Sequence, residues 1–255
     1  MSRVESKVRV GADEVWAEVG GDGPAVLLLH PGIGDSQVWD PVLPLLSGYQ
    51  VVRFDCRGYG RSPASTEAYA HAADAIAVLD HFGLTRATLV GCSMGGGTAA
   101  GIAVAEPARV DGLVLLCPGI PGWEQPPEPE LEAEYAEIGR TGDLDALVRL
   151  GLREWSAAGV DETTTDLMRS AMTASVSEQH NATEPPAVFD RLGEIAAPSV
   201  LLVGDRDRPP LVAVSEQAAT LIPGCRLGVL PGVDHYLPLR APEAVAAAVR
   251  EVTPV

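Results

Sequence analysis

The chain has 255 residues, 46% of them hydrophobic, which suits one α/β domain with a full core or one such domain carrying an insertion. Only 5% are aromatic, so Ala, Val and Leu must fill most of the interior. The net charge of −17 argues against a nucleic-acid partner and against an anionic membrane surface.

No apolar run approaches the roughly 20 residues that span a bilayer. The first ten residues, MSRVESKVRV, lack a continuous apolar core, so no secretory signal is expected. Cys56, Cys92, Cys117 and Cys225 are dispersed, with neither metal-ligand nor C-x-x-C spacing. That usage fits small core thiols in a reducing cytoplasm, with no metal centre.

Residues 4–10 and 14–19 alternate apolar and polar around Gly11, which predicts an antiparallel hairpin at a sheet edge. Residues 25–29 are a continuous apolar strand leading into His30-Pro31-Gly32-Ile33-Gly34. The G-x-G-x-x-G of a dinucleotide site is absent there. Residues 38–46 suit a helix. Residues 50–54 are a buried strand before Asp55-Cys56-Arg57-Gly58-Tyr59-Gly60-Arg61-Ser62, and 66–82 carry helical spacing. Residues 87–90 form another buried strand, which runs into Gly91-Cys92-Ser93-Met94-Gly95. Residues 96–106 then read as a small-residue helix ending before Pro107. Residues 110–117 are the sixth strand.

From 118 to about 197 the alternation breaks. A stretch rich in Pro and Gly precedes amphipathic segments near 131–138, 144–157, 163–176 and 187–195. Residues 123–190 hold fifteen acidic and four basic residues, so the outer helix faces are solvated. This pattern predicts a helical cap, residues 119–197, inserted after the sixth strand of a core domain made of 1–118 and 198–255. The sheet resumes at 199–203, before Gly204-Asp205-Arg206-Asp207. Residues 211–221 are helical, 226–230 form the last strand before Gly232-Val233-Asp234-His235, and 242–252 form a final helix with Pro242 in its first turn. Continuous apolar strands alternating with helices mean a mostly parallel central sheet covered by helices on both faces.

The chemistry gathers at strand ends. A serine inside G-x-S-x-G, between strand and helix, sits on a strained turn that only glycine neighbours permit. The turn aims the first helical N–H groups at the place where negative charge develops. Serine is a weak nucleophile and needs a base oriented by a third group. In an open parallel sheet such groups collect at the carboxyl ends of strands. Ser93 follows one strand, Asp205 and Asp207 a second, and His235 a third.

With HPGIGDSQVWD, FDCRGYGRS, VGCSMGGG, LLVGDRDRP and GVDHYLPLRAPEAV, the sequence resembles the α/β-hydrolase fold family over essentially its whole length. Within it, the chain resembles the capped serine hydrolases of the enol-lactonase and esterase-like group. The resemblance implies Ser93 as nucleophile and His235 as base. It implies Asp207, at the family's G-x-x-D place, as the acid, with Asp205 as the alternative that caps or pairs with an arginine. Some relatives carry the acid after the preceding strand, where Cys117-Pro118-Gly119-Ile120 has no carboxylate. The oxyanion hole falls to the N–H of Met94 and one from the loop after His30. Pro31 has no N–H, so Gly32 is the expected second donor and Ile33 the next choice.

By the same resemblance His30 orders its loop, and the Asp55/Arg57 pair braces the site loops. Trp39 packs, and Cys92 is a packed neighbour of the nucleophile. His71 and His81 are partly buried or solvated, while His180 in the cap is a candidate to face the pocket. Ile33, Trp155 and Met172 are the substrate-binding candidates. The implied activity is cofactor-free cleavage of a small ester, lactone or thioester through an acyl-enzyme. The alternatives are three. A C–C bond hydrolase would call for Arg149, Arg153 or Arg169 facing the pocket. SMGGG resembles cofactor-free haloperoxidases and perhydrolases, and a ligand-sensing receptor would use the same fold. Haloalkane dehalogenases and epoxide hydrolases carry Asp where this chain has Ser93. The partner implied is a small acyl substrate, and a bare apolar cap face would suit a homodimer.

Overall fold

In the computed structural model, which describes residues 3–177 and 181–253, the eight predicted strands join in one sheet. They are β1 (Arg3–Val10), β2 (Asp13–Gly20), β3 (Ala25–Leu29), β4 (Gln50–Phe54), β5 (Ala87–Cys92), β6 (Val110–Leu116), β7 (Ser199–Gly204) and β8 (Arg226–Leu230). Their spatial order is β1-β2-β4-β3-β5-β6-β7-β8. β1 pairs antiparallel with β2 and β2 with β4, and every later pairing is parallel. β5 and β7 are buried at every position, which requires cover on both faces because successive side chains point to opposite sides.

The helices in chain order are α1 (His71–His81), α2 (Met94–Ala105), α3 (Pro129–Thr141), α4 (Leu144–Trp155), α5 (Glu162–Ser177), α6 (Pro209–Leu221), α7 (Leu237–Arg240) and α8 (Pro242–Val252). α2 and α8 pack on the central strands. α3 to α5 lie between β6 and β7 in the chain, as the break in alternation predicts. The acidic α3 buries no residue, whereas α4 buries Leu147, Val148, Leu150 and Leu152 along one stripe. The Asp143 carboxylate caps α4 by accepting from the Ala146 N–H at 2.9 Å. Among the described residues no helix is long and apolar enough to cross a membrane.

Four local expectations are corrected. Residues 38–46 form two short 3₁₀ turns, Ser36–Trp39 and Leu43–Leu46, because Pro41 and Pro44 interrupt a continuous helix. The helix expected from 66 starts only at His71. Before it, Thr66 gives both its N–H and its hydroxyl to Asp13, and Tyr69 forms a parallel bridge with Ala182. The stretch near 187–195 is a 3₁₀ segment, Phe189–Glu194. α2 begins at Met94, directly after the serine.

Candidate active site

Ser93 joins β5 to α2 at φ 52° and ψ −112°, a backbone that residues with side chains rarely adopt. A Cβ at Gly91 would run into the Gly95 carbonyl, and one at Gly95 into the Leu29 carbonyl, so the turn admits only glycine at both places. The turn is pinned through the main chain. Ser93 N–H donates to Leu116 C=O at 2.9 Å, and Ser93 C=O accepts from Gly97 and Gly119 N–H at 3.0 Å each. Ser93 itself is half-buried, at the end of a fully buried strand.

Asp207 follows β7 and His235 follows β8. Asp207 Oδ2 lies 2.8 Å from His235 Nδ1, and neither side chain is exposed. Oδ1 accepts from the Arg208 N–H at 2.7 Å. An ionised carboxylate only accepts, so the ring proton belongs on Nδ1 and Nε2 keeps its lone pair. Nε2 is buried and has no hydrogen-bond partner among the described residues, Ser93 Oγ included. Hydrogen bonds to a nucleophile often tighten only when substrate binds. Asp205, the alternative acid, is exposed and accepts from the Gly232 N–H at 2.6 Å, the capping role expected of it.

The loop after β3 is tied from beneath. Cys56 N–H donates to His30 Nε2 at 3.0 Å, which leaves the proton on Nδ1 to donate to Pro31 C=O at 2.9 Å. A Cβ on Gly32 would sit 3.7 Å from Met94 Sδ, so this loop faces the start of α2. Among the described residues neither Gly32 N–H nor Ile33 N–H has an acceptor, and Met94, first in its helix, has no intrahelical one. Gly32 is partly open whereas Ile33 is buried, which favours Gly32 as the donor a substrate can reach. Tyr236, beside the candidate base, donates its hydroxyl to Ile33 C=O at 3.0 Å and so joins the histidine loop to this one. Sequence reasoning passed over Tyr236. It also passed over Tyr59, whose hydroxyl lies 3.8 Å from that same Gly32 position.

Asp55 and Arg57 do brace these loops, but not as a pair. Asp55 accepts from the Ser36 N–H and the Arg61 N–H, each at 2.9 Å, and from Arg61 Nε at 3.0 Å. Burial alone would raise its carboxyl, but His30 and these donors outweigh it and hold Asp55 below the usual carboxylate range. Arg57 instead grips Asp74 with two bonds of 2.8 Å and Asp13 with one of 2.7 Å, all three residues being buried. Adjacent strand-end charges face different ways, so their partners lie far off in sequence. Trp39 is buried, His71 is partly buried and His81 is exposed. His180 lies outside the described residues.

Of the substrate-binding candidates, Trp155 comes to the site: its ring centroid is 4.5 Å from that of His235. Ile33 is buried in the loop after β3, and Met172 is a half-buried residue of α5 packed on the core. Arg208, which the sequence reading did not single out, lies 4.6 Å from the Trp155 ring and pairs with Glu128 and, at 3.8 Å, with Glu154. Its place directly after Asp207 was the available signal. Ala158 N–H donates to Asp234 Oδ2 at 2.9 Å, and Arg240 reaches Asp161 at 2.9 Å. The α4–α5 loop is thereby fastened to the residue preceding His235. Arg149, Arg153 and Arg169 are all exposed; Arg153 pairs with Glu134 and Glu154, and Arg169 with Asp145.

Cys117, Asp207 and His235 bring donor atoms within 4.8 Å of one another. Asp207 and His235 already satisfy each other, and burial pushes the Cys117 thiol well up, towards the protonated state that does not ligate metals. The trio therefore reads as a hydrogen-bonded cluster.

A model of the alpha/beta hydrolase family matches residues 26–248. A non-heme haloperoxidase of Rhodococcus erythropolis is 29% identical over 245 residues, covering 87% of this chain and 89% of that protein. Among solved structures, Est816, described as an N-acyl homoserine lactone degrading enzyme, is 27% identical with a TM-score of 0.76, over 96% of this chain and 99% of its own. The enol-lactonase from Burkholderia xenovorans LB400 superimposes with a TM-score of 0.80 at 21% identity, over 97% of this chain and 99% of its own, and at that identity shows the shared fold.

Proposed function

The chain belongs to the alpha/beta hydrolase family, and we propose that within it the protein is a serine hydrolase of a small ester, lactone or thioester. The observation that carries this reading is the fully buried Asp207–His235 hydrogen bond of 2.8 Å at the same sheet end as the strained Ser93 turn. In this mechanism Ser93 Oγ attacks the acyl carbonyl while His235 Nε2 takes its proton. Asp207 keeps the imidazole in the tautomer that can accept that proton, and stabilises the cation that forms. The Met94 and Gly32 N–H groups receive the developing oxyanion. His235 then protonates the leaving group, and water repeats the sequence on the acyl-enzyme.

The likeness to an N-acyl homoserine lactone degrading enzyme across nearly the whole chain supports a lactone among these substrates. A C–C hydrolase is a secondary reading: an arginine among Arg149, Arg153 and Arg169 facing the pocket would favour it, but Arg153 pairs with Glu134 and Glu154 and Arg169 with Asp145. Perhydrolysis, with peroxide replacing water in the second half-reaction, is a secondary reading that rests on the likeness to a haloperoxidase. The test is a panel of short-chain p-nitrophenyl esters, lactones and thioesters offered to wild type and to Ser93→Ala. Hydrolysis of at least one class, abolished by the substitution, is expected. Equal rates in the two proteins would refute the reading.

A further inference from the structure

Cys117 stands one residue past the end of β6, fully buried, at φ 38°. Among the described residues it shares a positive φ with one other non-glycine residue, Ser93. Backbone strain of this kind persists only where the surroundings over-determine it. Here they do. Cys117 N–H donates to Leu202 C=O on β7 at 2.8 Å, and Cys92 Sγ lies 3.7 Å from Cys117 Sγ. The turned backbone delivers the thiol to the candidate acid–base pair. Sγ lies 3.5 Å from the main-chain oxygen of His235, as donor, and within 4.8 Å of the Asp207 carboxylate and the His235 ring nitrogen.

We propose that Cys117 is a positioning residue of the acid–base pair: its thiol anchors the His235 main chain and packs against Asp207 so that Oδ2 stays aimed at Nδ1. The proposal rests on the triad reading above. Burial, then Cys92 and Asp207, push the thiol's pKa far up, so the group stays a neutral S–H donor and sets no second negative charge beside Asp207. A thiolate at this place would compete with Asp207 for the imidazolium. The arrangement also accounts for the strain, because a residue with an ordinary backbone would send its side chain elsewhere.

The test uses a fluorophosphonate, which labels the serine without requiring the natural substrate. The Ser93 Oγ–P bond forms, the P–F bond breaks, fluoride leaves, and the serine proton passes to His235. Removing the thiol releases the His235 main chain and the packing on Asp207, so Oδ2 is aimed less well at Nδ1 and stabilises the imidazolium less. Cys117→Gly is therefore expected to label about tenfold more slowly, with the acid limb of the rate profile moved down by about half a pH unit. Its melting temperature should fall by no more than a few degrees, because relief of strain at φ 38° offsets part of the cavity left by the buried thiol. Cys117→Ser keeps a donor and should label within about threefold of wild type. If both variants keep the wild-type rate and acid limb and only the melting temperature moves, Cys117 is mere packing and the proposal falls. Failure of the wild-type protein to label at Ser93 would bring down the triad reading instead, and this inference with it.

Discussion

Replacing Asp207 by Asn tests the acid–base geometry through one atom. The Asn side chain must satisfy two neighbours at once. Arg208 N–H, 2.7 Å from Oδ1, requires an acceptor there, so the amide oxygen takes that place. The NH₂ group then faces His235 Nδ1 across the 2.8 Å contact, and Nδ1 must accept instead of donate. The ring proton moves to Nε2, which can no longer take the serine proton. The opposite amide orientation would set two donors against each other in a buried place, at a cost of about 1–3 kcal/mol. A wrong tautomer of this kind lowers kcat by about 10⁴-fold, and at 1.36 kcal/mol per tenfold this amounts to about 5.5 kcal/mol of transition-state stabilisation. The assay is steady-state hydrolysis of an activated ester, with circular dichroism to verify the fold. Asp205→Asn, which leaves the pair untouched, should stay within about threefold of wild type. A loss smaller than tenfold in Asp207→Asn, or a comparable loss in Asp205→Asn, would refute the assignment.

Three further outcomes follow from single residues. Trp155→Ala removes the ring 4.5 Å from His235 and should lower kcat/KM roughly tenfold, with Trp155→Phe closer to wild type, measured on the same ester. Arg57→Met strands the buried carboxylates of Asp13 and Asp74 and should destabilise the fold by about 3–5 kcal/mol in urea denaturation. Burial, aided by His30 and Arg57, holds His71 down at about 4, from an ordinary value of 6.5. Between those values the unfolded chain carries a proton that the folded one lacks. Stability should therefore rise with pH through the window by up to about 3 kcal/mol, be complete above it, and be lost as pH falls toward 4. His71→Phe, measured by denaturation at pH 4.5 and 7, should flatten that slope.

The strands along the chain and the placement of Ser93, Asp207 and His235 after their carboxyl ends were legible because each rests on local pattern, whereas the order of the strands within the sheet was not. Apolar runs of five or six residues, bounded by turn residues, can hardly be other than buried strands. The choice of Asp207 over Asp205 came from resemblance, and its physical reason is plain only in three dimensions, where Asp205 turns outward to the Gly232 N–H. What sequence did not reveal depends on contacts between distant segments. Arg57 finds Asp13 and Asp74 rather than its near neighbour Asp55. The Thr66 interaction with Asp13 delays α1 by five residues relative to the helical spacing. Cys117 looked like one more small core residue, since a positive φ leaves no mark on composition. The two 3₁₀ turns before β4 were legible in principle, because Pro41 and Pro44 stand inside the stretch read as one helix.

The claim on which the account depends most is that Ser93 forms an acyl-enzyme. Rapid mixing with p-nitrophenyl acetate and butyrate, followed at the nitrophenolate absorbance, tests it most directly. Wild type should release a burst of about one equivalent per active site before the steady state, and Ser93→Ala should show neither burst nor turnover. Equal traces from the two proteins would contradict the account and move the chemistry away from Ser93.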